Sequence, residues 1–369
     1  MLSRFFCSHY LSNAKSLLLF AFVVKPTLAR SQSATCSTMR VVHQEQFGDE
    51  NVLHILQDAP IPEPKPNQVL VKVYATALNR ADLLMRQGKY PNLKTPVTLG
   101  LEAAGIVAGR GSNSSKWHDG DKVMALLPGG GYAEYVAVNE DHVMAIPSNF
   151  TYQEAAAIPE VWLTAYQLLH FVGKAQPSET ILIHGGGSGV GTAAVQLAKL
   201  GNVQTIVTAG TEEKIALACK LGAAAGFNYK EGPFLDKVLN FTNGKGVDVV
   251  LDCVGGSYWK QNIGSLAFDG RWVVYGLLGG GAVDGPLLSQ VLAKRISVLG
   301  TTLKARSDQY KTELVSRFSE NALKHFSKPA NSLRPVVDRV MELDEIVEAH
   351  QYMATNKNIG KIVINVQHA

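Results

Sequence analysis

The stretch GGGSGVG at residues 185–191 decides the fold of this chain. A short apolar segment, TILIH at 180–184, precedes it and predicts a buried strand, and residues 189–200 follow with the apolar spacing of a helix. A dinucleotide site needs this strand–turn–helix unit, because glycines allow a tight turn, close approach of the backbone to a pyrophosphate, and close helix–strand packing. Free N–H groups at the helix start would then face the phosphates. The glycines that can meet these needs are Gly186, Gly189 and Gly191.

Ser188 stands where the common G-x-G-x-x-G pattern has its middle glycine. A small side chain can be tolerated at that position, and its hydroxyl could bond a phosphate. A glycine match alone is weak, and a glycine-rich turn without a ligand remains the alternative. The strand before the loop, the helix after it and the repeated βα units make the dinucleotide interpretation strong.

Strands and helices alternate on both sides of this loop. TYQE at 151–154 is a capping box that predicts a helix start. Residues 204–208 read as a strand, 212–221 as a helix ended by Gly222, and 247–253 as another strand. Such alternation predicts an α/β fold with a parallel sheet covered on both faces.

The segments before and after the α/β region have different patterns of apolar and polar residues. From residue 40 to 147 the pattern is mostly strand, with the clearest alternation in VLVKVYA at 69–75 and prolines at 60, 62, 64 and 66 before it. From about residue 304 amphipathic helices lead to a last strand at 361–366. A β-rich domain therefore precedes the α/β domain.

The end of the second α/β strand favours NADP over NAD. NAD sites place an acid there to bond the ribose 2′-hydroxyl, but this strand ends TAGT at 208–211. Glu212 and Glu213 follow in the first helical turn, where acids suit the helix dipole. Lys214 could meet a 2′-phosphate and Tyr229 could stack on or bond to the same end. A solvated surface lysine is the alternative for Lys214. We count Thr211 among the cofactor-binding residues.

Composition and charge exclude several classes of protein. The chain has 369 residues, 46% hydrophobic and 18% charged, which is typical of globular proteins and excludes disordered, collagen-like and membrane-bundle chains. Of 35 lysines and arginines, four lie in residues 1–38, which hold no acid, so the remainder has 31 basic against 31 acidic residues. A nucleic-acid partner is not expected, because phosphate binding needs an excess of clustered basic residues.

Residues 1–38 read as a targeting leader. They are rich in serine, basic and free of acids, which favours a mitochondrial transit peptide. The apolar run at 16–24 keeps a secretory signal open, but it is too short to span a membrane. Translation from Met39 would give a cytoplasmic protein. The body holds only Cys219 and Cys253, which make no disulfide framework.

From Met39 onward the chain resembles the medium-chain dehydrogenase/reductase superfamily, and within it the quinone oxidoreductase branch. The segments that carry the resemblance run in order along the chain and include ALNRAD at 77–82, LGLEAAG at 99–105, ALLPGGG at 125–131, WLTAYQLLH at 162–170, LDCVGGSYW at 251–259 and NKNIGK at 356–361. The resemblance implies a GroES-like, barrel-like catalytic domain at 39–160, a Rossmann domain with a doubly wound parallel sheet at 161–303, and a return to the catalytic domain at 304–369. It also implies a homodimer, for which the strand near 295–300 is the expected edge.

Zinc-dependent members of the superfamily differ from this chain at their metal ligands. They have a cysteine and a histidine where this sequence has Asn79 and Leu101, and neither replaces a thiolate or an imidazole on zinc. Their four-cysteine structural lobe has no counterpart here. We therefore expect no metal. Hydride transfer to an electron-poor quinone needs less help from a Lewis acid than alcohol oxidation does.

The resemblance assigns roles to individual residues. Near the nicotinamide it places Thr164, Val254, Gly276 and Leu277. Against the phosphates it places Ser188, Gly189, Val190, Lys214, Tyr229 and Asn358. In the reacting pocket it places Asn79, Asp82 and Tyr90.

Each residue of the reacting pocket has a simpler alternative. Tyr90 is the best candidate to bond a quinone oxygen and to pass a proton, and the alternative is a half-buried aromatic in a loop. For Asp82, turn capping or an ion pair with Arg80 or Arg86 ranks above catalysis, and Asn79 is expected to orient rather than react. His184 reads as a satisfied core histidine, and Cys253 as an inert thiol.

The expected activity is NADPH-dependent reduction of small quinones by hydride transfer, with the protein supplying position and a dry cleft. An enoyl-thioester reductase on the same scaffold is one alternative. A non-enzymatic NADPH-binding sensor or structural protein is the other.

Overall fold

The computed structural model describes residues 38–91, 93–328 and 332–368. The predicted leader at 1–38 lies outside these residues except for Thr38. Fifteen strands occur in the described chain. They are β1 (Thr38–His43), β2 (His54–Pro60), β3 (Gln68–Ala77), β4 (Glu102–Arg110), β5 (Lys122–Leu126), β6 (Tyr135–Asn139), β7 (Val143–Ala145), β8 (Thr180–His184), β9 (Gln204–Ala209), β10 (Ala225–Asn228), β11 (Val247–Asp252), β12 (Leu266–Val274), β13 (Ser297–Gly300), β14 (Val337–Glu342) and β15 (Lys361–Asn365).

Ten α-helices accompany them in the described chain. They are α1 (Arg80–Arg86), α2 (Tyr152–Ala156), α3 (Pro159–Tyr166), α4 (Gly189–Leu200), α5 (Glu212–Leu221), α6 (Leu235–Phe241), α7 (Trp259–Ser265), α8 (Leu287–Lys294), α9 (Asp308–Asn321) and α10 (Ile346–Ala354). None of these helices is both long and apolar enough to cross a membrane.

The strands form three sheets. One has six parallel strands in the order β10-β9-β8-β11-β12-β13, which confirms the predicted Rossmann-type sheet. The second has seven strands in the order β14-β15-β3-β4-β5-β7, with β6 also pairing with β3. It is mostly antiparallel and contains the predicted β-rich domain. The third is the antiparallel pair β1 and β2.

Alternation in β3 produces the predicted burial. Val69, Val71, Val73 and Ala75 are at most 1% exposed and face the core, while Gln68, Leu70, Lys72 and Tyr74, which alternate with them, are half-buried. Pairing β3 with β15 brings an early and a late segment of the described chain into one sheet. Lys361 begins β15 and Asn79 follows β3, so this pairing brings the two side chains together in the candidate site.

Local signals set the helix ends near the α/β loops. Thr151 caps α2 through its hydroxyl and Glu154 bonds back, as the capping box predicts. Gly222 ends α5 with φ of +129°, a conformation that suits glycine. α4 begins at Gly189 and ends at Leu200, as predicted from the apolar spacing.

Candidate active site

The strand order of the six-stranded sheet creates a crevice at its carboxyl edge. β8 lies between β9 and β11, and the chain runs outward from it in both directions. Ligands of open α/β sheets bind at such a switch point, outside the carboxyl ends of the strands. The loops that follow these strands, together with the first turns of α4 and α5, contain most of the predicted cofactor-binding residues. These segments are residues 185–191 after β8, 210–214 after β9, 253–255 after β11 and 276–277 after β12.

The loop after β8 is built to let a phosphate approach. A β-carbon on Gly191 would lie 2.2 Å from the Gly185 carbonyl oxygen, and one on Gly186 would lie 2.6 Å from the side chain of Val207. Ser188 caps α4, because its Oγ accepts a hydrogen bond from the Gly191 N–H at 3.0 Å. Its hydroxyl proton remains available to donate. Free N–H groups, the helix dipole and this hydroxyl together fit a pyrophosphate.

The C-terminal segment before β15 packs directly on this loop. The Gly360 N–H donates to the Gly187 carbonyl at 2.8 Å, and Ser188 and Gly360 form an isolated β-bridge. The predicted Asn358 donates through its side-chain amide to the Gly360 carbonyl at 2.9 Å. Asn358 therefore shapes the segment that borders the phosphate loop, and this is the role the structure shows for it.

The loop after β9 gathers cations and an aromatic ring around Gly210. A β-carbon on Gly210 would lie 2.6 Å from the Tyr229 hydroxyl and 3.3 Å from Cε of Lys230. Lys214 donates from Nζ to the Asn356 carbonyl at 2.7 Å, and Thr211 caps α5 by accepting from the Lys214 N–H. Burial lowers the pKa of Lys214, and the nearby Lys230 ammonium lowers it further.

Lys214 and Lys230 place two ammonium groups near this loop, so it can hold an anionic group. Lys214 is not merely a solvated surface lysine, since it is half-buried and its Nζ is bonded to the backbone. Lys230 is a residue that the sequence analysis missed. The available signal was its position directly after Tyr229, which had already been placed at this end.

Backbone hydrogen bonds join the loops after β11 and β12, where the nicotinamide is expected to bind. The Leu278 N–H donates to the Cys253 carbonyl at 3.1 Å and the Gly279 N–H to the Val254 carbonyl at 2.7 Å. A β-carbon on Gly276 would lie 2.9 Å from the Cys253 carbonyl oxygen, so a side chain there would displace the loop. Leu277 is 56% exposed. Thr164 is half-buried on α3, which packs against α4.

His184 belongs to a buried network below these loops. Its Nδ1 lies 2.8 Å from Thr208 Oγ1 and its Nε2 lies 2.7 Å from Asn262 Oδ1. The Asn262 amide donates in turn to Asp252 Oδ2 at 2.9 Å. Burial lowers the pKa of His184, so the imidazole is neutral and satisfied, in agreement with the sequence analysis. Burial also raises the pKa of the Cys253 thiol to about 11, which keeps it protonated and inert.

A buried polar cluster lies on the other side of the phosphate loop. Lys361 Nζ donates to Asn79 Oδ1 and to Glu102 Oε1, each at 2.7 Å, and to the Leu78 carbonyl at 2.6 Å. The Asn79 amide donates to Glu102 Oε1 at 2.8 Å. A β-carbon on Gly189 would lie 2.9 Å from Cδ of Lys361, so the cluster touches the start of α4.

By the resemblance described above, Asn79 and the neighbouring Leu101 stand where zinc-dependent members of the superfamily have a cysteine and a histidine. Asn79 is bonded at both ends of its amide, Leu101 is apolar and 1% exposed, and Glu102 is paired with an ammonium. An ammonium group among the expected ligands repels a cation, and no thiolate or imidazole is present at these positions. The residues at this place therefore do not fit a catalytic zinc. Asn79 is held by hydrogen bonds to Glu102 and Lys361, and its orienting role in the reaction stays a prediction.

Asp82 is a capping residue. Its Oδ2 accepts from the Asn79 N–H at 2.9 Å and its Oδ1 from the Gly100 N–H at 3.0 Å. In the described chain the alternative ion pairs are not formed, because Arg86 pairs with Glu50 and Arg80 bonds the Met353 carbonyl. Burial raises the pKa of Asp82 to about 6. Turn capping therefore accounts for this residue, and a direct catalytic role is not needed to explain it.

Tyr90 is half-buried and sits beside a second acid that the sequence analysis missed, Glu160. Burial, with a smaller contribution from the Glu160 carboxyl, raises the pKa of Tyr90 to about 12, although a hydrogen bond with the Thr302 side chain acts in the opposite direction. Glu160 opens α3, and its N–H donates to Glu102 Oε2 at 2.9 Å. Burial and the nearby Glu102 raise the pKa of Glu160 to about 8. Both Tyr90 and Glu160 are therefore protonated at neutral pH and can donate.

Contacts between distant parts of the chain thus join several predicted residues. Lys361 links Asn79 to Gly189, and the segment before β15 contacts Lys214 and Ser188. Four residues of the candidate site were not predicted from the sequence: Lys230, Glu102, Glu160 and Lys361. Glu102 and Lys361 lay within segments that carried the family resemblance, but their pairing had no local signal.

Comparison with known proteins agrees with this geometry. Residues 65–148 match the family model "Alcohol dehydrogenase GroES-like domain" and residues 189–320 match "Zinc-binding dehydrogenase". Quinone oxidoreductase of Homo sapiens is 31% identical over 88% of this chain and 97% of its own length.

Two solved structures are also similar. Quinone oxidoreductase of Escherichia coli, complexed with NADPH, has a TM-score of 0.80 at 27% identity, covering 89% of this chain and 100% of that one. The CurK enoyl reductase has a TM-score of 0.80 at 28% identity, covering 90% of this chain and 100% of its own. With the GroES-like fold, the Rossmann sheet and a relative of this similarity in place, the chain belongs to the quinone oxidoreductase branch of the medium-chain dehydrogenase/reductase superfamily.

Proposed function

We propose that this oxidoreductase transfers hydride from NADPH to small quinones without a metal ion. The observation that carries the proposal is the bonding of Lys361 to both Asn79 and Glu102. An ammonium in that position repels a zinc ion, which supports an acceptor that is reduced without Lewis-acid activation. Quinones meet this condition because their rings are electron-poor.

The choice of NADPH is supported by the surroundings of Gly210. Tyr229 and Lys230 lie beside Gly210, Lys214 lies beside Gly187 and close enough to Lys230 for their charges to interact, and the preceding strand ends without an acid. Two ammonium groups favour a dianionic 2′-phosphate over a ribose hydroxyl. Ser188 and the first N–H groups of α4 would hold the pyrophosphate.

When bound, the nicotinamide supplies the hydride, and the residues of this chain supply position and protons. Complete reduction of a quinone to a hydroquinone takes one hydride and one proton. The Tyr90 phenol, kept protonated by burial, donates a hydrogen bond to the quinone oxygen and stabilises the charge that develops there. Glu160 is a second protonated group beside it.

The second element of the proposal is a homodimer formed along β13. This strand is the edge of the six-stranded sheet, and unpaired edges invite pairing. Its Val298 is 48% exposed, and Leu288 and Leu292 on the adjacent α8 are 80% and 79% exposed. Large exposed apolar side chains next to an open edge are typical of an interface between copies.

An enoyl-thioester reductase is the second candidate, since the CurK enoyl reductase shares this fold at a TM-score of 0.80. The deciding experiment mixes the purified protein with NADPH or NADH and a panel of ortho- and para-quinones, and separately with an enoyl thioester. Absorbance of the reduced cofactor reports turnover. Selective oxidation of NADPH by quinones supports the proposal. Turnover only with the thioester contradicts the proposal and favours an enoyl-thioester reductase. Cofactor binding without any turnover also contradicts it and favours a sensor.

A further inference from the structure

The β1–β2 sheet is separate from the two larger sheets that position the site described above, and it carries a cluster of metal-binding side chains. His43, Glu45 and His54 each offer one ligand atom, and these atoms all lie within 4.8 Å of one another. Among the described residues, this is the group of histidine and carboxylate side chains whose geometry could hold a metal ion. We propose that these three side chains form a surface site for a zinc-like divalent ion.

The backbone places the two histidines opposite each other. His43 and His54 are partners in the antiparallel register of β1 and β2. Their ring centroids are 5.3 Å apart with an interplanar angle of 79°. Cross-strand neighbours at this separation can share one ion without any change in strand pairing.

Inward-facing neighbours hold the three ligands in place. Gln44 and Leu53 are each 5% exposed, so the side chains next to them along the chain point outward. Glu45 lies in the bend that follows β1, which keeps its carboxylate within 4.8 Å of the ligand atoms of both histidines. The backbone of the site is therefore anchored to the core, while its side chains remain exposed and free to adjust.

One histidine is already oriented for metal binding. Nδ1 of His54 lies 3.4 Å from the Val52 carbonyl oxygen, a long hydrogen bond in which only the ring can donate. This contact places the proton on Nδ1 and leaves the Nε2 lone pair free. Metal-binding histidines usually have such a partner on their second ring nitrogen.

The chemistry of the three ligands indicates the type of ion. Two imidazoles and a carboxylate suit Zn²⁺ and neighbouring late transition metals rather than Ca²⁺ or Mg²⁺. Ligand atoms around a tetrahedral zinc lie about 3.4 Å apart, given bonds of about 2.1 Å. Small rotations of exposed side chains close the remaining gap. Within the described residues none of the three forms a salt bridge, so no existing ion pair must break.

Zinc titration of the full chain tests this site. Zinc chloride is titrated against a chromophoric chelator in the presence of a non-thiol reductant. We expect His54→Ala and Glu45→Gln each to weaken zinc binding at least tenfold relative to the unaltered chain. The matched control is His118→Ala, because His118 is also exposed and lies beside Asp121 in another loop. Equal affinity in all four proteins, or no binding at submillimolar zinc, overturns the proposal.

Hydrogen exchange then locates the ion. A shared metal would cross-link β1 to β2, and a two-stranded sheet is otherwise weakly stable. Zinc should slow amide exchange in peptides covering 38–60 in the unaltered chain and not in His54→Ala. Exchange without zinc must be the same in both, which shows that the variant is folded. Zinc-dependent protection of this segment in His54→Ala would contradict the assignment. Neither readout depends on quinone reduction.

Discussion

Lys361 and Glu102 form an ion pair 2.7 Å long in which both side chains are buried, with exposures of 4% and 0%. The two residues are 259 positions apart in the chain. The Lys361 ammonium also bonds the Leu78 carbonyl and the Asn79 side chain, so it has three partners. A buried charge satisfied in this way is stable, whereas either charge alone is not.

Replacing Lys361 by methionine should therefore destabilise the protein strongly. The variant leaves Glu102 as a buried charge without its partner, which costs about 3–5 kcal/mol in free energy of unfolding. Urea denaturation measures the change. Adding Glu102→Gln to Lys361→Met should recover part of the loss, because the second substitution removes the unpaired charge.

The control for this experiment is a surface pair, Glu313 and Arg317, whose side chains are about half exposed. Glu313→Gln should change the free energy of unfolding by less than about 0.5 kcal/mol. A Lys361→Met protein as stable as the unaltered chain would show that the pair is not formed.

Removing either cation near Gly210 should reduce the preference for NADPH. We expect Lys214→Ala and Lys230→Ala each to raise the Kd for NADPH about tenfold, or about 1.4 kcal/mol, with little effect on NADH. Fluorescence titration of the two cofactors measures both constants. Lys220→Ala, at the other end of α5, is the control and should alter neither. An equal loss for NADPH and NADH would mean that these lysines do not contact the 2′-phosphate.

Removing the Tyr90 hydroxyl should slow quinone reduction. Tyr90→Phe keeps the ring and its packing but loses the donor, so kcat should fall about 100-fold while the Kd for NADPH is unchanged. Steady-state kinetics with one quinone and a separate cofactor titration measure the two effects. Tyr135→Phe, on β6, serves as the control. Unchanged kcat in Tyr90→Phe would assign the tyrosine to packing alone.

Glu160 should make stability depend on pH in a specific direction. Its pKa is raised from 4.5 to about 8, so folding favours the protonated form. Its contribution to stability is complete below pH 4.5 and is lost as the pH rises through 8. Glu160→Gln stays neutral, so its stability relative to the unaltered chain should increase between pH 6 and pH 9.

Thermal unfolding at the two pH values measures this difference. Glu348→Gln, which changes an exposed carboxylate on α10, should show the same offset at both. A Glu160→Gln offset that does not change with pH would mean that Glu160 is already ionised at pH 6.

A charge on β13 should separate the proposed dimer. Val298→Asp places a carboxylate on the open edge of the six-stranded sheet, where burial against a second copy would be unfavourable. Light scattering should report half the mass of the unaltered protein. Val340→Asp is the matched control, because Val340 is 44% exposed on β14, the edge of the other sheet. Dimers in both variants, or a monomeric unaltered chain, would reject this interface.

The phosphate loop could be predicted from the sequence because its signals are local. Ser188 caps α4 and Gly191 packs against Gly185, and all of these contacts join residues within a few positions. The same holds for the Thr151 capping box and for the end of α5 at Gly222. Alternating apolar segments then required a parallel sheet, so the place of the crevice followed.

The acids and cations of the pocket could not be predicted in the same way. Glu160 lies in an apolar helix start, and its raised pKa comes from burial and from Glu102, a residue of another strand. For Asp82 the local pattern left capping and ion pairing equally open. The contact with Gly100 decides it, and this contact exists only in the folded chain.

Short-range geometry along the chain was therefore enough to establish the βα units, their caps and the dinucleotide loop. The pairing of Lys361 with Glu102 and Asn79 required β15 to join β3 and β4 in one sheet. The pairing matters because it is buried. A charge removed from water is stable only when a group of opposite charge lies beside it, even when that group is distant in the sequence. The tertiary structure alone thus decided that the Lys361 ammonium lies beside the crevice, whereas the sequence already had Asn79 and Leu101 in place of the zinc ligands of zinc-dependent members.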